Sequence, residues 1–91
     1  MANYTTVEHA KVGVLMGSAS DWPVMKRASE MLESFNVPHE CNALSAHRNA
    51  DLLREYLKDA ENRGIEIFIC AAGGAAHLAG VVAAHTEKPV L

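Results

Sequence analysis

The sequence predicts an α/β fold in which short parallel strands alternate with amphipathic helices. Three apolar runs of strand length, at 11–16, 39–44 and 65–71, are each followed by a small polar loop and then by a helical pattern. A fourth apolar run begins at Pro89. Alternation of this kind favours a parallel sheet with right-handed crossovers. We therefore predict the order βαβαβαβ, folded as a three-layer sandwich.

Length and composition indicate one small globular domain. The chain has 91 residues, of which 49% are hydrophobic and 21% charged, and this balance is not that of a disordered protein. A net charge of −3 provides no basic surface for nucleic acid or for an anionic membrane. No apolar run reaches the length of a membrane span, and the first residues resemble neither a signal nor a transit peptide. We expect a cytoplasmic protein with a flexible leader over 1–10 and a folded domain over 11–91.

The first strand and helix follow from the apolar pattern of residues 11–35. The run from Lys11 to Met16 has almost no polar side chain, as expected of a strand that is covered on both faces. Apolar residues then recur at helical spacing through 22–35. Either Ser20 or Asp21 can cap this helix.

The second strand, at 39–44, is more polar than the first. Glu40 and Asn42 interrupt its apolar residues, and an edge strand tolerates such side chains. We therefore predict that this strand lies at the edge of the sheet.

The second helix is predicted between Asn49, a suitable N-cap, and Gly64, a typical helix stop. Leucines, a tyrosine and alanines form its apolar stripe. Asp59 and Arg63 are four residues apart, so we expect them to pair on its solvated face.

The third strand, 65–71, is almost entirely apolar and is predicted to be central. Small residues at 77–84 predict a buried helix, and Gly80 within it suggests that another backbone packs close. Pro89 then begins the fourth strand, of which three residues are present.

We predict the strand order 2-1-3-4 of flavodoxin-like sheets. Constant crossover handedness then leaves the first helix alone on one face and places the other two helices on the opposite face. Further chain or another subunit is expected to cover the poorly covered face. Because the fourth strand is short, the domain is expected to be truncated, or an obligate oligomer, or both.

Three polar loops follow the first three strands and are expected to meet. They are GSASD at 17–21, SAHR at 45–48 and AGGAAH at 72–77. Ligands of such sheets bind beyond the carboxyl ends of the strands, where the strand order reverses. The reversal lies between the first and third strands, so we predict one ligand site there.

The loop at 17–21 is suited to a phosphate. Gly17, Ser18 and Ser20 precede a helix N-terminus, where amide N–H groups and the helix dipole favour anions. A capped helix after a tight turn would explain the same residues. Asp21 could accept a hydrogen bond from a ribose hydroxyl, or it could cap the helix.

The other two loops carry the groups suited to acid–base chemistry. His47 can exchange protons near neutral pH, and Arg48 has a guanidinium fork suited to a carboxylate or phosphate. Arg48 could instead pair with acidic residues of the second helix. Gly73 and Gly74 permit close backbone approach to a ligand. His77 is either a ligand group or a hydrogen-bonded core histidine.

The two cysteines are predicted to be buried structural thiols. Cys41 and Cys70 both lie within strands, there is no CxxC motif, and no residue spacing indicates a metal site. The residues alone therefore indicate a phosphate-bearing small molecule, with His47 as the acid–base group. They leave the reaction open.

Three motifs together resemble those of one family. GSASDW at 17–22, SAHR at 45–48 and AAGGAAHLAG at 71–80 resemble, in order and spacing, the PurE family of bacterial N5-carboxyaminoimidazole ribonucleotide mutases. The resemblance extends over 11–91. It implies transfer of a carboxylate from N5 to C4 of the ribonucleotide in purine (IMP) biosynthesis, without ATP, biotin or metal. SAHR together with GGAAHL is typical of the bacterial mutase class.

The resemblance also assigns roles to residues and implies a homo-oligomer, an octamer. His47 matches the general acid/base. Residues that match substrate-binding positions or the closing loop are Ser18, Asp21, Ser45, Arg48, Gly73, Gly74 and His77. Because relatives in this family are longer, a catalytically inactive nucleotide-binding or assembly module is the alternative function.

Overall fold

The computed structural model describes residues 4–73 and 77–91. Their elements, in chain order, are strand β1 (Val12–Met16), a 3₁₀ turn (Ala19–Asp21), helix α1 (Trp22–Ser34), strand β2 (His39–Ala43), helix α2 (Ala50–Arg63), strand β3 (Ile67–Ala71) and helix α3 (Leu78–Ala84). None of the helices in this described part of the chain is long and apolar enough to cross a membrane.

The sheet has the predicted order. Its three strands are parallel and lie in the order β2-β1-β3, with Val12 opposite both His39 and Ile67. Val90 forms a parallel bridge with Phe68, so the beginning of a fourth strand lies beside β3. This arrangement confirms the order 2-1-3-4, and it places the carboxyl ends of β1, β2 and β3 at one edge.

The two faces of the sheet are covered unequally, as predicted. Leu15 and Phe68 point towards α2 and α3 and belong to the larger core cluster. Val12, Val14 and Met16 point to the other face, where α1 covers them through Met25, Ala28 and Leu32. α1 also carries a second apolar stripe that is largely exposed in the described chain: Val24 is 71%, Met31 58% and Phe35 70% exposed.

Close packing on the larger face requires a glycine in β1. A Cβ atom on Gly13 would lie 2.9 Å from the Phe68 ring and 2.9 Å from the Tyr56 hydroxyl oxygen. Both neighbours are fully buried. The two aromatic side chains therefore occupy the space that any other residue at position 13 would need.

Two polar residues of β2, which lies at the predicted edge of the sheet, are buried. Glu40 is 1% and Asn42 6% exposed, and both point to the same face as α2. Glu40 accepts hydrogen bonds from Tyr56 at 2.6 Å and from two Arg63 nitrogens at 2.8 and 2.9 Å. Asp59 also pairs with Arg63, at 2.9 Å, but the pair belongs to this partly buried network and not to a solvated helix face.

Residues of the N-terminal segment cover this polar network. The Asn42 side chain both accepts from the Thr5 amide, at 2.6 Å, and donates to the Thr5 carbonyl, at 2.8 Å. The Val7 amide donates to Glu40 at 2.9 Å, and the Tyr4 hydroxyl donates to Asp59 at 3.1 Å. The segment predicted as a leader therefore has specific contacts over residues 4–7, while its flexibility stays a prediction.

The prediction that α3 is buried all round is also wrong. Only Leu78 and Val82 of this helix are buried. A Cβ on Gly80 would meet no atom of the described chain within 4 Å, so no backbone packs closely there. In contrast, Gly64 ends α2 as expected, in the left-handed conformation with φ of 102°.

Candidate functional site

The three predicted loops enclose one cleft at the carboxyl edge of the sheet. The cleft has a volume of about 390 Å³. The described residues that line it are Gly17, Ser18, Ser20, Asp21, Ser45, Ala46, His47, Ala72, Gly73, His77 and Leu78. The cleft combines hydroxyl, carboxylate and imidazole groups with a short apolar wall, and this combination suits a small polar ligand.

The loop after β1 is shaped by Ser18. Its hydroxyl oxygen accepts hydrogen bonds from the Ser20 amide, at 3.2 Å, and from the Ser20 hydroxyl, at 3.1 Å. Ser18 therefore caps the 3₁₀ turn that leads into α1. Asp21 occupies the N-cap position of α1, yet its side chain forms no capping hydrogen bond within the described chain. Of the two roles considered for the Asp21 carboxylate, that of a helix cap is not observed.

The loop after β2 is held together by Ser45. Its hydroxyl oxygen accepts from the amides of His47, at 3.2 Å, and Arg48, at 3.1 Å. Asn49 takes the N-cap position of α2, but its side chain turns back and accepts from the Ser45 amide at 3.4 Å. Two backbone amides thus converge on one hydroxyl oxygen, and this turn sets the direction in which the His47 side chain leaves the loop.

His47 and His77 contact each other across the cleft. The distance from His47 Nε2 to His77 Nδ1 is 3.0 Å, which is that of a hydrogen bond. The rings meet edge to face, with an angle of 66° between their planes. Both side chains are exposed to the cleft. The contact joins the loop after β2 to the start of α3, 30 residues further along the chain.

The structure therefore brings together most of the predicted site residues. Ser18, Asp21, Ser45, His47, Gly73 and His77 all line the cleft. Arg48 is exposed and is not among the described lining residues. Gly74 lies outside the described residues.

Sequence reasoning missed the apolar part of the wall. Ala46, Ala72 and Leu78 line the cleft beside the polar residues. An alanine next to a polar motif carries no chemical signal of its own. The position of Leu78 immediately after His77, at the start of a helix, was the available clue.

The thiols are not reactive groups of this cleft. Burial raises the pKa of Cys70 to about 11. Burial also raises the pKa of the Cys41 thiol, although a hydrogen bond with Ser29 opposes the effect. Both thiols are half-buried and are expected to stay protonated near neutral pH, and neither is among the described lining residues.

The chain matches a protein-family model. Residues 11–91 match the model of a family described as AIR carboxylase. This range begins one residue before β1 and includes all three loops of the cleft.

Individual proteins are similar over the same range. The chain is 58% identical over 81 residues to an N5-carboxyaminoimidazole ribonucleotide mutase of Aliivibrio fischeri, covering 89% of this chain and 50% of that protein. It is 56% identical to a protein of the same name from Thermotoga maritima, covering 89% of this chain and 47% of that protein. The chain thus spans about half the length of the curated relatives it matches.

A solved structure is similar in fold. The crystal structure of PurE from Treponema denticola superimposes with a TM-score of 0.84 at 27% sequence identity. The superposition covers 88% of this chain and 51% of that one. The flavodoxin-like order of the sheet is therefore shared with that protein.

Proposed function

This chain belongs to the AIR carboxylase family, and we propose that its cleft is the ribonucleotide site of a cytoplasmic mutase. The mutase would move the carboxylate of N5-carboxyaminoimidazole ribonucleotide from N5 to C4, giving 4-carboxyaminoimidazole ribonucleotide in purine biosynthesis. The observation that carries the proposal is the cleft itself, in which a hydroxyl-rich loop before a helix faces a pair of imidazoles.

The loop after β1 would bind the ribose phosphate. Ser18 and Ser20 supply hydroxyls, and the backbone amides before α1 supply further donors for an anion. Asp21, whose carboxylate lines the cleft, would accept from a ribose hydroxyl. Ser45 and Arg48 would position the ribonucleotide from the neighbouring loop, with Arg48 turning towards the phosphate or carboxylate when the ligand binds.

The base would lie against His47 and the loop that contains Gly73, Gly74 and His77. The N5–carboxylate bond breaks and releases CO2, while His47 gives a proton to N5. C4 then attacks the CO2, a carbon–carbon bond forms, and His47 takes the proton that leaves C4. The proton that His47 gives to N5 is replaced by the proton that it takes from C4. No electron is gained or lost overall, so the reaction needs neither ATP nor an oxidant.

A turnover assay tests the proposal. The chain is incubated with N5-carboxyaminoimidazole ribonucleotide in the absence of ATP and added metal, and the 4-carboxy product is measured. His47→Asn should reduce turnover by at least about 10²-fold, the contribution typical of general acid–base catalysis. His85→Asn is the matched control, because His85 is exposed at the far end of α3 and does not line the cleft in the described chain. Wild-type turnover by His47→Asn would refute the proposal.

The same assay distinguishes the mutase from an inactive binding module. Such a module is the second candidate because the chain covers only 50% of the length of the mutase it matches. Such a module would be stabilised by the ribonucleotide product in a thermal unfolding experiment, without turnover of the substrate. Ligand-dependent stabilisation that disappears in Asp21→Ala would identify the cleft as the binding site in either case.

We also propose that the chain forms a homo-oligomer through α1. The exposed stripe of Val24, Met31 and Phe35 supports this, because large apolar side chains grouped on one helix face typically mark an interaction surface. Sedimentation velocity should show an assembly that Met31→Glu disrupts. Glu30→Gln, a change at an exposed polar position of the same helix, should leave it intact. A monomer at all concentrations would contradict self-association.

A further inference from the structure

The contact between His47 and His77 constrains the protons of both rings. A nitrogen–nitrogen distance of 3.0 Å requires one ring to donate an N–H and the other to accept it. The two rings therefore cannot both be fully protonated in this arrangement. In the neutral pair each ring has one proton, and the proton on one of them lies between the rings.

The hydrogen bond leaves one outer nitrogen on each ring. These are Nδ1 of His47 and Nε2 of His77, because the other nitrogens face each other. A proton that binds to one outer nitrogen makes that ring doubly protonated, and the ring can then pass its inner proton to its partner. The extra charge moves from one ring to the other without rotation of either side chain.

The surroundings of the two histidines favour this transfer of a proton between the rings. Asp21, from the loop before α1, is the described carboxylate in the wall of the same cleft, and its sign complements a positive charge on the pair. Arg48 follows His47 directly and opposes that charge. The other described residues of the wall are serines, alanines, glycines and Leu78, and none of them titrates near neutral pH. Both rings are exposed to the cleft, so both outer nitrogens can be reached by a ligand.

We propose that His47 and His77 act as one two-ended proton carrier, an inference that rests on the proposed function. In its charged form the pair holds three ring protons. It gives one to N5 as the N5–carboxylate bond breaks, which leaves two. It takes the proton from C4 as the new carbon–carbon bond forms, which restores three. Because N5 and C4 are different atoms, a carrier with two ends can serve both while the base stays in place.

Nitrogen NMR of the imidazole rings tests the carrier without relying on turnover. The chain is labelled with ¹⁵N, and the ring signals are followed from about pH 5 to pH 8, where histidines titrate. The two inner nitrogens, His47 Nε2 and His77 Nδ1, should both give the signals of a hydrogen-bonded pair. His77→Gln should shift the ring signals of His47, and His47→Gln should do the same for His77. His85→Gln, at the opposite end of α3 from His77, should alter the ring signals of neither His47 nor His77.

The amide spectrum shows whether each variant keeps its fold, which is expected because both side chains are exposed. Identical His47 ring signals in the wild type and in folded His77→Gln would overturn the carrier. This result would leave the mutase proposal standing, with His47 as a lone acid–base group. Absence of turnover with coupled ring signals would refute the mutase proposal alone.

Where turnover is measured, kinetics separate this role from simple binding. His77→Gln should lower kcat by about 10²-fold and change its pH profile, while KM changes little. An increase in KM at unchanged kcat and an unchanged pH profile would assign His77 to substrate binding and overturn the carrier.

Discussion

Tyr56 donates a hydrogen bond of 2.6 Å to the carboxylate of Glu40, and both side chains are fully buried. The same carboxylate accepts two hydrogen bonds from Arg63 and one from the Val7 amide. In the described chain, every buried side-chain nitrogen or oxygen has a hydrogen-bond partner. A carboxylate satisfied in this way connects β2, α2 and the N-terminal segment.

Replacement of Glu40 should destabilise the fold strongly. Glu40→Gln removes the charge that compensates Arg63 and places an amide N–H₂ group where only acceptors fit. We expect the free energy of unfolding to fall by about 2–4 kcal/mol, near the range for breaking a buried ion pair. Denaturant titration measures this change. Glu66→Gln is the control because Glu66 is exposed, and it should change stability by less than about 0.5 kcal/mol. An equally small loss of stability in Glu40→Gln would show that the Glu40 carboxylate does not stabilise the fold through its pairing with Arg63.

The Glu40 carboxyl also predicts a loss of stability in acid. Burial raises its pKa, but the hydrogen bonds from Arg63, Tyr56 and Val7 outweigh burial and hold the pKa below its ordinary value of 4.5. A lowered pKa contributes stability that is fully present above pH 4.5 and is lost as the pH falls through the folded-state value. The stability difference between the wild type and Glu40→Gln should therefore shrink below pH 4.5. A difference that is constant with pH would show that charge is not its origin.

Tyr56 predicts the opposite dependence at high pH. Burial, and then the hydrogen bond to Glu40 and its negative charge, raise the pKa of Tyr56 above its ordinary value of 10.0. The resulting stability is fully present below pH 10.0 and is lost as the pH rises towards the folded-state value. Tyr56→Phe should be less stable near pH 7 by about 1.5–3 kcal/mol, the value for a hydrogen bond to a charged group. Its stability relative to the wild type should improve above pH 10, and an unchanged gap would argue against a neutral buried phenol.

The contact between Asn42 and Thr5 should anchor the N-terminal segment. Asn42→Ala removes both hydrogen bonds to the Thr5 backbone, and we expect a loss of about 1–3 kcal/mol. Hydrogen exchange should quicken at the Thr5 and Val7 amides, which donate to Asn42 and Glu40. Asn62→Ala, at an exposed position of α2, serves as the control. Equal exchange rates in the two variants would mean that the segment is held by other contacts.

Gly13→Ala should destabilise the core. The added methyl would lie 2.9 Å from both Phe68 and Tyr56, whose rings are confined by α2 and the sheet. Overpacking of this kind costs about 1–3 kcal/mol, and thermal unfolding should show it. Gly80→Ala is the matched control, because its methyl would meet no described atom and alanine is the better helix former by about 1 kcal/mol. A stability equal to wild type in Gly13→Ala would mean that the aromatic pair can shift.

The sheet order and the location of the cleft could be predicted because they depend on patterns that are local in sequence. The apolar runs ending at Met16 and Ala71 mark two strands of the sheet, and each is followed by small residues. Parallel strands bring such loops to one edge by geometry alone. Six of the site residues expected from the sequence, those at 18, 21, 45, 47, 73 and 77, line one cleft for this reason.

The polar network could not be predicted because its partners are distant in sequence. Glu40 in a short strand has the pattern of an edge residue, and Arg63 has the pattern of a surface residue paired with Asp59. Only the fold shows that the N-terminal segment covers them. The contact between His47 and His77 was unpredictable for a similar reason, since it depends on how two loops 30 residues apart approach each other.

The hydrogen-bond partners of the N-terminal segment also determine when the segment can reach its native position during synthesis. Tyr4 bonds to Asp59, which is made 55 residues later, and Val7 bonds to Glu40, which is made 33 residues later. The ribosome therefore releases residues 4–7 well before their anchoring site exists. That site is complete only once α2 has emerged, so residues 4–7 are translated before most of the fold and are among the last to take up their native position.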